Sequence, residues 1–193
     1  MTLRPWVHEG RELVADMKVF RVHRVRSQSP RTGRCFDLSL LEASDWVNVV
    51  ALTPEKEIVL VRQFRHGTAD FTLEIPGGMI DKGETPAQAA SRELCEESGY
   101  VGDEPVVLGV VTPNPALFNN HCYTYLIENC RPAASMQLDH GEDLEVSIRP
   151  LHEIPTIIAA GAIDHALVIG AFWWLALARP GWMPLGAQPR SLL

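Results

Sequence analysis

The chain has 193 residues, of which 46% are apolar and 21% charged, and it carries a formal net charge of −7. That mixture suits one globular domain with at most a small appendage. The acidic balance argues against a general nucleic-acid binder, whose surface carries basic excess. It leaves room for a phosphorylated ligand held through a divalent cation.

The first ten residues, "MTLRPWVHEG", contain no apolar core of the kind an export signal needs. Cys35, Cys95, Cys122 and Cys130 show no CxxC spacing. They read as buried or free thiols in a reducing cytoplasm, without disulfides or structural zinc. "KVFRVHRVRS" alternates apolar and polar residues, "SPRTG" supplies a turn, and "CFDLSLLEA" follows as a partner strand. Leu13 to Ala43 thus read as a small antiparallel hairpin unit, with Arg21, Arg24, Arg26, Arg31 and Arg34 on a solvated face. Residues 1–44 are taken as this N-terminal β unit and residues 45–193 as a second domain.

"WVNVVALT" and "EIVLVRQFR", separated by "PEKE", give a strand, turn and strand. "FTLEIP" is a shorter strand running into Gly77 and Gly78. "PVVLGVV", "CYTYLIENC" and "LEVSIRP" are three further strands. Near the C-terminus, "TIIAAGAIDHALVIGAFWWLALA" has Asp164 and His165 near its centre. Its uninterrupted apolar part falls short of the roughly 20 residues a membrane span requires. It reads as a short helix, a break at Gly161 and a second helix N-capped by Asp164, with Trp173 and Trp174 in the core or at a dimer contact. One long helix among many strands, with helices again at the end, predicts an α/β sandwich.

The long helix lies in "GGMIDKGETPAQAASRELCEESGY", Gly77 to Tyr100. Thr85 as N-cap, Pro86 at the first turn and Gln88 three residues on form a capping box, and Gly99 suits the left-handed stop. The helix is therefore predicted over Pro86–Ser98. At about 100° per residue, Glu93, Glu96 and Glu97 fall within an arc of roughly 100°, while Ala87, Ala89, Ala90 and Leu94 supply the packing faces. Like charges at this spacing repel. A solvated acidic face would leave that repulsion unrelieved and the two preceding glycines unexplained. A hard divalent cation, Mg2+ or Mn2+, would relieve it, because such ions take carboxylate oxygens and bridge them to phosphate. Gly77 and Gly78 would let backbone groups approach both.

Gly78, Glu84 and the run Arg92-Glu93-Leu94-Cys95-Glu96-Glu97-Ser98-Gly99-Tyr100 resemble the Nudix signature, G-x5-E-x7-R-E-U-x-E-E-x-G-U. Every fixed position matches, and Tyr100 replaces the final aliphatic residue. The resemblance implies an α/β/α sandwich and metal-dependent hydrolysis of a nucleoside diphosphate linked to another group. It implies Glu93, Glu96, Glu97 and the Gly77 carbonyl as metal ligands, with Glu96 and Glu97 in the catalytic set. Arg92 would orient a box glutamate, and Glu84 would support the loop.

Outside the signature, the chain resembles the ADP-ribose and nucleotide-sugar pyrophosphatase group of the family. "VRQFRHG" implies Arg65, or else Arg62, as a diphosphate contact. Pro115, about fifteen residues past the box, fits the same group, and Asn119 or Asn120 is a candidate sugar contact. Trp46 and Trp6 are candidate base-stacking residues. Glu142, with Glu145 as the alternative, is the expected water-activating base. The N-terminal unit implies a homodimer. The expected ligand is a small nucleoside diphosphate sugar, with no nucleic-acid or membrane partner. A different nucleotide substrate, such as a nucleoside triphosphate, dinucleoside polyphosphate or capped RNA, is the alternative within the family. A non-catalytic nucleotide sensor is the alternative outside enzymes, opposed by the full set of box carboxylates.

Overall fold

A computed structural model describes residues 2–138, 141 and 143–184. Its contacts group the chain into two units. The first contains the described residues up to Asp45 together with Thr112–His121, and the second contains Trp46–Val111 and the chain from Cys122 onward.

The first unit is a three-stranded antiparallel sheet in the order β1 (Val7–Met17), β2 (Phe20–Gln28), β3 (Cys35–Ala43). Sequence reading expected only two of these strands. β1 escapes it because register shifts between His8 and Gly10 and between Leu13 and Ala15 interrupt the alternation that marks a strand. The arginines do form a solvated face: Arg21, Arg24 and Arg26 are more than half exposed and pair with Asp16, Glu12, Glu9, Asp37 and Glu42 of neighbouring strands. Such exposed pairs contribute at most about 1 kcal/mol each. Thr112–His121 joins this unit through backbone bonds between Leu41 and Leu117 and between Asn119 and Leu41, plus a bond from the Asn120 amide to the Ser44 carbonyl.

The second unit is built on β4 (Trp46–Ala51), β5 (Glu57–Arg65), β6 (Asp70–Glu74) and β7 (Gly77–Met79), then α1 (Pro86–Ser98), β8 (Tyr100–Val101), β9 (Val106–Val111), β10 (Cys122–Ile127), β11 (Arg131–Pro132) and β12 (Leu144–Pro150). A 3-10 turn, Leu151–Glu153, then leads into α2 (Ile154–Ala159) and α3 (Ala166–Ala178). One sheet runs β7-β4-β10-β9 with β4 and β10 parallel, another runs β12-β5-β6, and β11 pairs with β8.

The central strands are buried on both faces, and their alternation divides the core in two. Val50 and Leu52, with Ile58, Leu60 and Leu126, meet Ile154, Val168, Phe172 and Leu175 of the C-terminal helices. Their neighbours Val49, Ala51, Val59, Tyr125 and Ile127 meet Ala90 and Leu94 of α1. Helices thus cover opposite faces of the strand layer, which is the expected α/β/α sandwich.

The local signals of α1 are all used. Thr85 accepts from the Gln88 amide, the Gln88 side chain accepts from the Thr85 amide, and Gly99 has φ 71°. α3 differs from expectation at its start. His165, in place of Asp164, is the N-cap residue, and its side chain makes no capping bond. The segment before it turns at Gly161, as expected. Among the described residues no helix is long and apolar enough to cross a membrane.

The apolar run of α3 contains both buried and exposed positions. Phe172 is 2% exposed and Trp173 is 56% exposed. Phe172→Ala should therefore destabilise the chain by about 3–5 kcal/mol, while Trp173→Ala should change stability by about 0.5 kcal/mol or less, as read by urea unfolding.

Candidate active site

β7 sets the site. Its three residues pair antiparallel with β4, with Asn48 opposite Gly77, Val47 opposite Gly78 and Trp46 opposite Met79. This brings the glycine backbone against α1. A side chain at Gly77 would run into the Val47 carbonyl, and one at Gly78 into the Glu93 carboxylate. The Gly77 amide donates to Glu97 Oε2 at 2.9 Å. Glu93 and Glu97, one helical turn apart, are both buried, while Glu96 is partly exposed. Burying two carboxylates on one helix face is costly unless they are bonded or bind cations.

Arg92 supplies part of the compensation. Its Nε and Nη2 donate to the two oxygens of Glu84, both at 2.9 Å, and Nη2 also reaches the Met79 carbonyl at 3.0 Å. Its Nη1 donates to Glu93 Oε1 at 2.8 Å and to Glu96 Oε2 at 2.9 Å. One planar guanidinium thereby ties three box glutamates to the β7 backbone. The Arg92 bonds hold the Glu84 carboxyl below its usual range, and the bond to Glu84 leads the upward shift of Arg92. The repulsion that sequence reading assigned to a metal alone is thus relieved in part by Arg92, for Glu84, Glu93 and Glu96.

The donor chemistry fits a hard divalent cation. Glu93, Glu96 and Glu97 offer oxygens only, and the Gly77–Gly78 backbone lies against two of them. Among the described residues, no three His, Cys, Asp or Glu side chains are gathered into a metal-holding group, so backbone and substrate oxygens would complete the coordination.

The other candidates are spread over both units. Arg65, at the end of β5, turns back along its strand, and its Nε and Nη2 donate to the two oxygens of Glu74, both at 2.7 Å. Arg62 lies over the Phe71 ring at 4.4 Å and is 3.8 Å from Glu145, its register partner in β12. Glu145 is well exposed. Glu142 lies outside the described residues. Trp46 opens β4 and is partly buried. In the first unit, Trp6 packs on Phe36 with ring centroids 5.8 Å apart. Pro115 sits in an exposed turn, and the Asn119 side-chain carbonyl accepts from the Ala43 amide at 3.2 Å, a structural bond.

Two residues of this region escaped sequence reading. Asn48 is buried opposite Gly77, and its Nδ2 has no hydrogen-bond partner among the described residues. Glu74 is buried and accepts Thr72 Oγ1 at 2.5 Å in addition to Arg65. A single glutamate inside the short apolar run "FTLEIP" was the available signal for it.

A NUDIX domain model matches residues 45–169. The chain belongs to the Nudix family. A mouse relative named ADP-sugar pyrophosphatase is 36% identical over 63% of this chain and 58% of its own length. A Bacillus subtilis relative named ADP-ribose pyrophosphatase is 30% identical over 75% of this chain and 79% of its own. The chain therefore spans under two thirds of the mouse protein and more of the bacterial one. A crystal structure of an ADP compounds hydrolase superposes with a TM-score of 0.82 over 94% of this chain and 97% of that one, at 22% identity, and so shares the fold.

The Glu74 carboxylate yields a test in acid. Burial opposes its ionisation, but the bonds from Arg65 and Thr72 outweigh burial and hold it below the ordinary range. A depressed native value means that the stabilisation is full above the unfolded value of about 4.3 and is lost as pH falls through the native one. Melting temperature measured from pH 6 down to pH 2.5 should therefore fall more steeply for the native chain than for Glu74→Gln, which has no carboxylate to protonate.

Proposed function

We propose that this Nudix protein hydrolyses the diphosphate bond of ADP-ribose or a related nucleoside diphosphate sugar, giving a nucleoside monophosphate and a sugar phosphate. The observation that carries the reading is the apposition of buried Glu93 and Glu97 to the Gly77–Gly78 backbone. The names of the mouse and Bacillus relatives support the substrate class.

Glu93, Glu96, Glu97 and the Gly77 carbonyl would hold Mg2+ or Mn2+, which supplies charge neutralisation at phosphate oxygens and a water of lowered pKa. Arg92 keeps Glu93 and Glu96 in place. Arg65, or else Arg62, is the diphosphate contact of this reading, and Trp46 is its base-stacking residue. Glu142 accepts the proton of the attacking water, with Glu145 as the alternative acceptor. In the first unit, Val7, Leu13, Val14, Met17, Phe36 and Leu38 are about half exposed. That apolar surface supports a homodimer formed through the N-terminal sheet.

The test is release of monophosphate from ADP-ribose, GDP-mannose, UDP-glucose, NADH and dGTP with and without Mg2+. ADP-ribose or another diphosphate sugar should turn over, and chelation should abolish turnover. Hydrolysis of dGTP alone would overturn the substrate assignment. Glu97→Gln should lower kcat by about a hundredfold or more with an unchanged circular dichroism spectrum. Near-full activity in Glu142→Gln would place the base elsewhere. Light scattering should return twice the chain mass of 21.4 kDa.

A further inference from the structure

Glu93 and Glu97 belong to the proposed metal-binding face, whereas the third buried glutamate among the described residues, Glu74, lies outside it. Its carboxylate sits beneath two basic side chains that both reach the surface. Arg65 holds it with two bonds of 2.7 Å and has a side chain 44% exposed. His165 Nδ1 lies 3.6 Å from Glu74 Oε2, and the His165 side chain is 40% exposed.

An Arg65–Glu74–Thr72 staple alone would account for the β5–β6 hairpin. It leaves His165 unexplained. Among the described residues His165 Nδ1 is buried without a hydrogen-bond partner, and it stands just beyond bonding reach of the carboxylate. The opposite ring nitrogen, Nε2, then lies on the ring edge away from Glu74. His165 is also the N-cap residue of α3, a 13-residue helix, and its own side chain makes no capping bond. A helix start of that kind carries partial positive charge. Arginine and imidazole therefore meet over a single buried carboxylate, the imidazole belonging to the residue that opens α3.

The chain limits how far this cluster is from the box. Glu74 precedes Gly77 by three residues, so their Cα atoms are at most about 11 Å apart. That is within the length of a nucleoside diphosphate sugar.

We propose that His165 binds the anionic diphosphate of the substrate together with Arg65, and that Glu74 is the positioning residue for both. This rests on the hydrolase reading above. Nδ1–H donates to Glu74 Oε2 once the ring closes the remaining gap, and Nε2–H is offered to a phosphate oxygen. A ring donating from both nitrogens is an imidazolium, so the cluster carries two positive groups over one negative and is net cationic toward substrate. Glu74 sets the direction of both donors, as a carboxylate behind an imidazole fixes its ring orientation.

The test combines steady-state kinetics on ADP-ribose with Mg2+ and calorimetric titration of the metal-free chain with inorganic pyrophosphate. His165→Ala should raise KM about tenfold, the size of one charge-assisted hydrogen bond, with kcat within about twofold. Its pyrophosphate affinity should fall in the same proportion, with an unchanged melting temperature. His165→Arg should restore both values to within about threefold. Glu74→Gln should raise KM in the same way, and where that variant fails to fold, the His165 pair decides. Unchanged KM and pyrophosphate affinity in His165→Ala would overturn the proposal, as would a loss confined to kcat. If the native chain does not hydrolyse ADP-ribose, the hydrolase reading fails by itself, and the pyrophosphate titration still decides the role of His165: equal affinity of native chain and His165→Ala overturns it.

Discussion

Burial of β4 on both faces is the constraint from which the second unit follows. Val47 to Ala51 has no solvent face, so successive side chains must be covered by different layers. Val49 and Ala51 call for α1, and Val50 and Leu52 call for α3. The same strand pairs in parallel with β10 on one edge and antiparallel with β7 on the other. The second pairing places Gly77 and Gly78 beside the glutamates of α1. Packing and site geometry therefore share one element, and a shift of β4 by one residue would exchange its two cores and move the glycines away from Glu93.

Two arginines of the second unit, Arg92 and Arg65, meet buried carboxylates in different ways. Arg92 uses all three guanidinium nitrogens on Glu84, Glu93, Glu96 and the Met79 carbonyl. It shapes the acidic face without neutralising it, since one positive charge stands against three carboxylates with Glu97 beside them. Arg65 holds the buried Glu74 in a two-bond pair. A buried pair of that kind depends on its geometry, because removal of either partner leaves a charge without water or counterion. Glu74 in turn orients Arg65, whose two bonds it accepts.

Much of the fold was legible because local physics and global packing agree in it. β3, β5, β12 and α1 have the ends that alternation and capping predict, down to the reciprocal Thr85–Gln88 bonds. The failures have identifiable causes. β1 is broken by bulges, so period two disappears from its sequence. β7 is three residues long and rich in glycine, too short to show a period at all. Asp164 was the better capping residue by propensity, but the chain enters α3 through His165. Thr112–His121 joins the first unit through backbone bonds to β3 and through Asn119 and Asn120 side-chain bonds to Ala43 and Ser44, partners some 76 residues away that no local pattern indicates.

The amino-acid sequence by itself determined the family, the carboxylate helix and the layered α/β class, because the box spacing, the helix caps and the hydrophobic periods are all local patterns. The tertiary structure decided which charges meet. Arg92 and Glu84 lie eight residues apart, Arg65 and Glu74 nine, and Glu74 and His165 come from opposite ends of the second unit. Those pairings depend on how far a side chain folds back along its strand and on where α3 begins. Both are set by the packing of complete layers, which no short stretch of sequence contains.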